Sequence, residues 1–261
     1  MNDSPAVKPS VTWALEIEYD GTPFMGWQRQ KHGLAIQQIL EEAGAKLCNG
    51  VMPAAMASGR TDAGVHALGQ IVQMELPPFS THRLREALNY HLKPHPVVVL
   101  RAAIAPPGWN ARFSAISRRY RYLISNRAAF PAIEANRVWH VRQPLDVAAM
   151  HRAAQLLLGH HDFSSFRASA CQAKSPVRTL DVLTVSREAE HVVVQATARS
   201  FLHHQVRNMV GSLKMVGEGT WPEARIAEVL AARNRAVAGP TAPAEGLYFV
   251  SVAYEQDLGL A

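Results

Sequence analysis

The stretch with the greatest capacity for chemistry is Ser58–Gln70, SGRTDAGVHALGQ, in which Arg60, Thr61, Asp62 and His66 crowd around Gly59 and Gly64. Glycine admits positive φ and the close approach of another chain, so the run reads as a sharply shaped loop carrying one carboxylate. A carboxylate in such a place acts as a nucleophile or a general base, or else closes its own Asx-turn. Asp62 and His66 stand four apart, yet on a glycine-rich loop that spacing does not put both on one face. The pairs His160-His161 and His203-His204 do not make a two-ligand face either, because neighbours on a helix point about 100° apart. There is no HExxH and no tight carboxylate cluster, so no metal site is expected. No GxGxxG follows a strand and no P-loop is present, so no cofactor is expected.

If Asp62 is to attack, it must be ionised, and burial would oppose that unless a cation sits nearby. Arg207 is the candidate cation. The pattern predicts a helix over 201–216 with Leu202, Val206, Met209, Leu213 and Val216 inward and Ser200 as N-cap. His203, Arg207, Gly211 and Lys214 then form an adjacent polar row, with Gly211 leaving room for a close neighbour. An ordinary solvated arginine is the competing account. Tyr120 shares a strand face with Arg118, Tyr122 and Ile124, and on pattern alone belongs to the core. Arg60, Arg29 and Lys31 suit phosphate or base contacts, against the plainer reading of surface charge.

The chain has 261 residues, formal charge +6 and a pI near 9.6. That balance suits a polyanionic partner. Arg112, Arg118, Arg119, Arg121 and Arg127 fall within sixteen residues, interleaved with Phe113, Tyr120 and Tyr122. Guanidinium groups among aromatics suit phosphate pairing beside base stacking, although a solvated strand would look the same. Hydrophobic residues make up 48% of the chain, enough for a proper core. No apolar run approaches the roughly 18 residues of a membrane span. Residues 1–10 lack the apolar middle of a signal peptide and are expected to be a disordered tail. Two cysteines, Cys48 and Cys171, make neither a disulfide framework nor a zinc pattern, which points to a reducing cytoplasm.

Trp13, Leu15, Ile17 and Tyr19 alternate with polar or small residues, a strand with one buried face that ends at Gly21-Thr22-Pro23. Ile36, Ile39, Leu40, Ala43 and Leu47 lie on one helical stripe. An extended segment near 52–58 leads into the Asp62 loop, and a strand near 68–76 leads out. Ser80 or Thr81 caps a helix with Leu84, Leu88 and Leu92 inward, and Val97–Ile104 is a buried strand. That order is β-α-β-β-α-β. The second half repeats it: a strand near 117–125, a helix near 146–158 closed by Gly159, strands near 178–186 and 191–199, the helix over 201–216, an extra helix near 222–233 and a last strand near 247–254. Gly159–Pro176, anchored by Phe163 and Phe166, reads as a long functional loop forming one wall of the site. The fold class is therefore α/β of the α+β type, two tandem βαββαβ ferredoxin-like subdomains with mainly antiparallel sheets. Their expected bounds are 11–110 and 111–261.

GRTDAGVHALGQ, preceded by YDGTPFMGWQRQ, resembles the TruA family of tRNA pseudouridine synthases. RRYRY at 118–122, GHHDFSSFR at 159–167, VRTL at 177–180, FLHHQVRNMVG at 201–211 and PAEGLYFV at 243–250 resemble it too, in the same order. The resemblance spans about residues 11–255. It implies two α/β subdomains whose sheets flank a central basic cleft, and isomerisation of uridines 38, 39 and 40 in the tRNA anticodon arm, by a homodimer and without cofactor. It makes Asp62 the nucleophile, Arg207 its partner, Tyr120 the residue that stacks on the target uracil, and Leu247 an apolar wall. Gln205 departs from the family, where methionine is expected, and puts local packing beside Arg207 in question. A non-catalytic RNA-binding module or tRNA chaperone is the alternative; it would use the basic aromatic strand but have no need of Asp62, Tyr120 and Arg207 together.

Overall fold

The structure, a computed structural model, describes residues 10–260. The tail expected over 1–10 lies, but for Ser10, outside the described residues. The chain divides into two compact units: one takes the chain up to Ile116 together with the segment from Ser251 onward, the other is Ser117–Val250. Among the described residues no helix is long and apolar enough to cross a membrane. The mixed α/β class with mainly antiparallel pairing is as the sequence predicts.

In the first unit the order is β1 (Val11–Tyr19), α1 (Ile36–Leu47), β2 (Met56–Ala57), β3 (His66–Leu76), α2 (Thr81–Leu92) and β4 (Val97–Ile104). β1 is central and antiparallel to both neighbours, with Leu15 opposite Val72 of β3 and Ala102 of β4. β2 pairs with β3 on the side away from β1, giving β4-β1-β3-β2. Trp13, Leu15, Ile17 and Tyr19 are buried as the alternation requires. The alternation predicts one buried face, yet part of the other is covered as well. Ala14 and Ile71 pack there with Ala105, Trp109, Ala111 and Leu258, and the Tyr254 hydroxyl donates to the Ala111 carbonyl at 2.7 Å. This cover comes from the segment after β4 and from the far end of the chain, which no local pattern reveals. Ser80 caps α2, its Oγ accepting from the Arg83 N–H at 3.3 Å.

The second unit contains β5 (Ala115–Ser125, here from Ser117), β6 (Trp139–His140), α3 (Val147–Gln155), β7 (Gly159–Asp162), β8 (Val177–Glu188), β9 (His191–Ala198), α4 (Gln205–Gly217), α5 (Arg225–Ala232) and, to Val250, β10 (Leu247–Tyr254). The strand order is β10-β5-β9-β8-β7, with β6 lying parallel to β5. Leaving β6 and β7 aside, each unit places the strands of its βαββαβ run in the order fourth, first, third, second.

Four expectations need correction. α3 ends at Gln155 because its last turn tightens: the N–H groups of Leu156, Leu157 and Leu158 bond three residues back, to Ala153, Ala154 and Gln155. Gly159, at φ +99°, therefore opens β7 and does not close the helix. α5 is shorter than expected at both ends, running over Arg225–Ala232. Gly159–Pro176 is not one long loop, since its first four residues pair with β8 and Ser164–Phe166 form a 3-10 turn. Phe163 and Phe166 are wholly buried there. Finally, α4 begins at Gln205 and not at 201, so Ser200 is no cap. His204 occupies the cap position at φ 62° without a side-chain cap bond. The preceding turn is closed by Gln205 itself: its N–H donates to the Leu202 carbonyl at 3.0 Å, while its Oε1 accepts from the Leu202 N–H at 2.9 Å. His203 consequently lies ahead of the helix and drops out of the polar row with Arg207.

What approaches α4 at Gly211 is the segment Pro240–Ala242. A Cβ at Gly211 would fall on the Pro240 carbonyl, 2.9 Å from its carbon, and the Ala242 N–H donates to the Arg207 carbonyl at 3.1 Å. Two main chains meet there with no room for a methyl group. Gly211→Ala should therefore lower stability by about 1–3 kcal/mol through overpacking. Urea denaturation checks this, and a midpoint equal to that of the parent protein would contradict it.

Candidate active site

Asp62 sits on the eight-residue connection between β2 and β3, and three sets of contacts hold that connection. From the sheet, the Tyr19 hydroxyl bonds Thr61 Oγ1 at 2.8 Å, and Gln70 Nε2 donates to the Gly59 carbonyl at 2.6 Å. From within the loop, the Val65 N–H donates to the Asp62 carbonyl at 3.2 Å. From the side, the segment that follows β1 lies against it. The Trp27 N–H donates to the Thr61 carbonyl at 3.0 Å, and the Gly21 N–H donates to His66 Nδ1 at 3.1 Å. Gly26, at φ +85°, passes so close that a Cβ would stand 2.7 Å from the Thr61 oxygen and 3.0 Å from the Asp62 carbonyl carbon. This is why YDGTPFMGW and GRTDAGVH act together: the first is the flank on which the second is moulded.

Along the loop Arg60 is exposed, Thr61 buried and Asp62 half-buried. The side chain of Thr61 is thus tied inward, whereas Asp62 keeps part of its surface exposed. His66 is buried and structural. Its Nδ1 accepts from Gly21 and lies 3.2 Å from Asp20 Oδ1, an oxygen that also accepts from the Thr22 N–H in an Asx-turn. Arg29 is half-exposed but engaged, its Nη1 3.1 Å from the buried carboxylate of Glu41 and 2.9 Å from Met52 Sδ. Lys31 is exposed. Sequence reasoning missed Gly26, Tyr19 and Gln70 as supports of this loop. The two glycines of GTPFMGW were the available signal.

In the second unit Tyr120 projects from β5 and is 9% exposed. Its ring meets those of Phe201 and Phe249 edge-on, both at 5.1 Å between centroids. Such T-shaped contacts on two sides fix the ring plane. Tyr122, two residues on, is wholly buried; its hydroxyl donates to the Pro243 carbonyl at 2.7 Å. Burial, with Glu245 nearby, pushes the Tyr122 phenol well up, and the Arg207 guanidinium opposes this. Arg207 itself leaves α4 with Nε donating to the Ala242 carbonyl at 2.8 Å. That bond holds one edge of the guanidinium at a fixed angle to the helix. Leu247 is buried at the start of β10. It follows Gly246, where a Cβ would come within 2.6 Å of the Tyr122 ring.

The run of arginines is not one patch. Arg118 is buried, and its Nη1 donates to the Arg199 carbonyl. Arg121 lies over the Tyr248 ring at 5.5 Å, Arg127 pairs with Glu190 at 2.8 Å, and Arg112 stacks on its neighbour Phe113 at 5.5 Å. Successive strand residues point to opposite faces, so sequence density overstates the local charge. Gln205, the departure noted above, is buried with its Oε1 capping Leu202; its Nε2 has no hydrogen-bond partner among the described residues.

Comparison with known proteins bears on what these groups do. The family model described as tRNA pseudouridine synthase matches residues 16–114 and 153–255. Among curated proteins, a tRNA pseudouridine synthase A from Acidiphilium cryptum is 61% identical, over 94% of this chain and 97% of its own. The protein of the same name from Rhodospirillum centenum is 57% identical over 93% and 99%, and that from Gluconobacter oxydans 52% over 97% and 94%. A solved structure, a dye-decolorizing protein from V. cholerae, aligns over 95% of this chain and 94% of its own at 12% identity, with a TM-score of only 0.20, which carries no argument. On the family match and on identities above one half across nearly the full length, the chain belongs to the TruA family of tRNA pseudouridine synthases.

Proposed function

We propose that this protein converts uridine to pseudouridine at positions 38, 39 and 40 of the tRNA anticodon arm, as a cytoplasmic homodimer and without cofactor. The observation that carries the reading is the family match, which takes in both the Asp62 loop and α4. Relatives of this identity are named as synthases, which disfavours RNA binding without turnover.

The reaction breaks the bond between N1 of uracil and C1′, turns the base, and joins C5 to C1′. A proton leaves C5 and one is gained at N1, so nothing is oxidised or reduced. Asp62 is the nucleophile, on a loop whose backbone is held from three directions. Attack at C1′, addition at C6 of the ring and removal of a ribose proton all require the same ionised carboxylate. Arg207 is the cation that favours that charge. Tyr120 stacks on the extruded base, with its hydroxyl serving proton transfer at C5, and Leu247 is an apolar wall beside it. Arg60, Lys31 and, beyond its pairing with Glu41, Arg29 contact the RNA backbone. Tyr120 is supported as a platform by its two edge-on neighbours, and Arg207 by its anchored Nε.

Incubation with an unmodified tRNA transcript, followed by site-specific detection of pseudouridine, tests the activity directly. Asp62→Asn should abolish product while tRNA affinity stays within several-fold, because the side chain keeps its size and loses only its charge; retained turnover would remove the nucleophile assignment. Tyr120→Phe should bind tRNA normally and react poorly, since only the hydroxyl is lost, and single-turnover rates measure this. If that variant reacts at the parent rate, the hydroxyl moves no proton. Affinity for tRNA should fall linearly on a double-logarithmic plot against salt, with roughly 0.7–0.9 of slope for each phosphate neutralised. A flat response would exclude phosphate contacts by these arginines and lysines.

A further inference from the structure

Gln70 lies in the interior of β3 and is 0% exposed, a position usually filled by an apolar side chain. Its amide is satisfied mainly by the Asp62 loop. Nε2 donates to the Gly59 carbonyl at 2.6 Å, and Oε1 accepts from Ser58 Oγ. The buried Tyr19 phenol, bonded to Thr61 Oγ1 at 2.8 Å, also hydrogen-bonds Gln70. Four buried polar side chains, Tyr19, Ser58, Thr61 and Gln70, therefore form one network reaching Ser58, Gly59 and Thr61, on the approach to Asp62. Replacing such a network by apolar groups of equal size is often neutral for stability. Gln70 ties the strand that leads out of the loop to the loop itself by polar contacts.

We propose that Gln70 is a positioning residue for the isomerisation: it fixes the path of the main chain ahead of Asp62, and through it the carboxylate. The proposal rests on Asp62 being the nucleophile. A misplacement of about 1 Å can cost about 100-fold in rate. Gln70→Leu, which fills the space but makes none of these bonds, should therefore lower kcat by about 100-fold while KM for tRNA stays within about threefold. Ser58→Ala should give a smaller loss of kcat. The double variant should be no slower than Gln70→Leu alone, because Ser58 acts through the same amide.

The assay is pseudouridine formation on a tRNA transcript, below the unfolding midpoint of each variant as measured by circular dichroism. Parent-level kcat in folded Gln70→Leu would overturn the proposal, as would losses that multiply in the double variant. If Gln70→Leu does not fold, Ser58→Ala decides, and parent-level kcat there overturns the proposal. A parent protein that forms no pseudouridine overturns the functional reading and this proposal together. An active parent with an inactive Asp62→Asn and an undiminished Gln70→Leu overturns this proposal alone.

Discussion

The feature on which the candidate chemistry depends is a contact between two stretches of main chain. Gly26 lies against Thr61, Asp62 and Ala63 at distances that no Cβ could share, and at a φ of +85° that side chains rarely adopt. A loop carrying a reactive carboxylate has to be held still while leaving that carboxylate accessible, and side-chain packing around it would cover it. Backbone contact from the flank solves this. It fixes the chain on either side of Asp62 and adds no bulk above it. The buried hydroxyls and amide beneath the loop, from Tyr19, Ser58, Thr61 and Gln70, complete the clamp without apolar filling.

The same device recurs in the second unit. Gly211 and Gly239 let the segment ending at Ala242 lie directly on α4, a Cβ at Gly239 being 2.8 Å from the Ser212 Cα. The two chains then exchange bonds at Arg207, whose carbonyl accepts from the Ala242 N–H and whose Nε donates to the Ala242 carbonyl. A long flexible side chain is thereby oriented by a neighbour's backbone, which is less mobile than another side chain would be. The aromatic candidate, Tyr120, is oriented differently, by ring edges from two elements.

Much of this was legible in the sequence, and for identifiable reasons. The β1, α1 and α2 runs are legible because each buries a stripe, and period two or 3.6 reports burial directly. The start of α4 was misread because Leu202 is apolar at the right phase, while the event that sets the boundary is Gln205 bonding back to Leu202. The end of α3 is overrun because Gly159 is expected to close the helix, whereas the N–H groups of Leu156, Leu157 and Leu158 already bond three residues back in a tightened turn. Asp62 stood out by its glycines, but its supports did not: Gln70 is polar in a strand that otherwise reads as core, and Gly26 lies 36 positions earlier in the chain. Partners far apart in sequence leave no periodic trace. The arginine run misled in the other direction, since Arg118 is buried on a backbone carbonyl.

The magnitudes also say where recognition of the RNA must lie. Extruding a paired uridine costs a few kcal/mol. Stacking on one aromatic ring returns roughly 1–3 kcal/mol. On the proposed reading Tyr120 is that ring, and its stacking at most offsets the extrusion, leaving no surplus for affinity. On that reading the surplus affinity comes from contacts made away from the base, chiefly to phosphates, where each neutralised charge adds to binding and releases counterions. On the proposed reading a rigid loop and a clamped ring suit that division of labour, because they select by geometry at the reacting atoms while phosphate contacts hold the RNA.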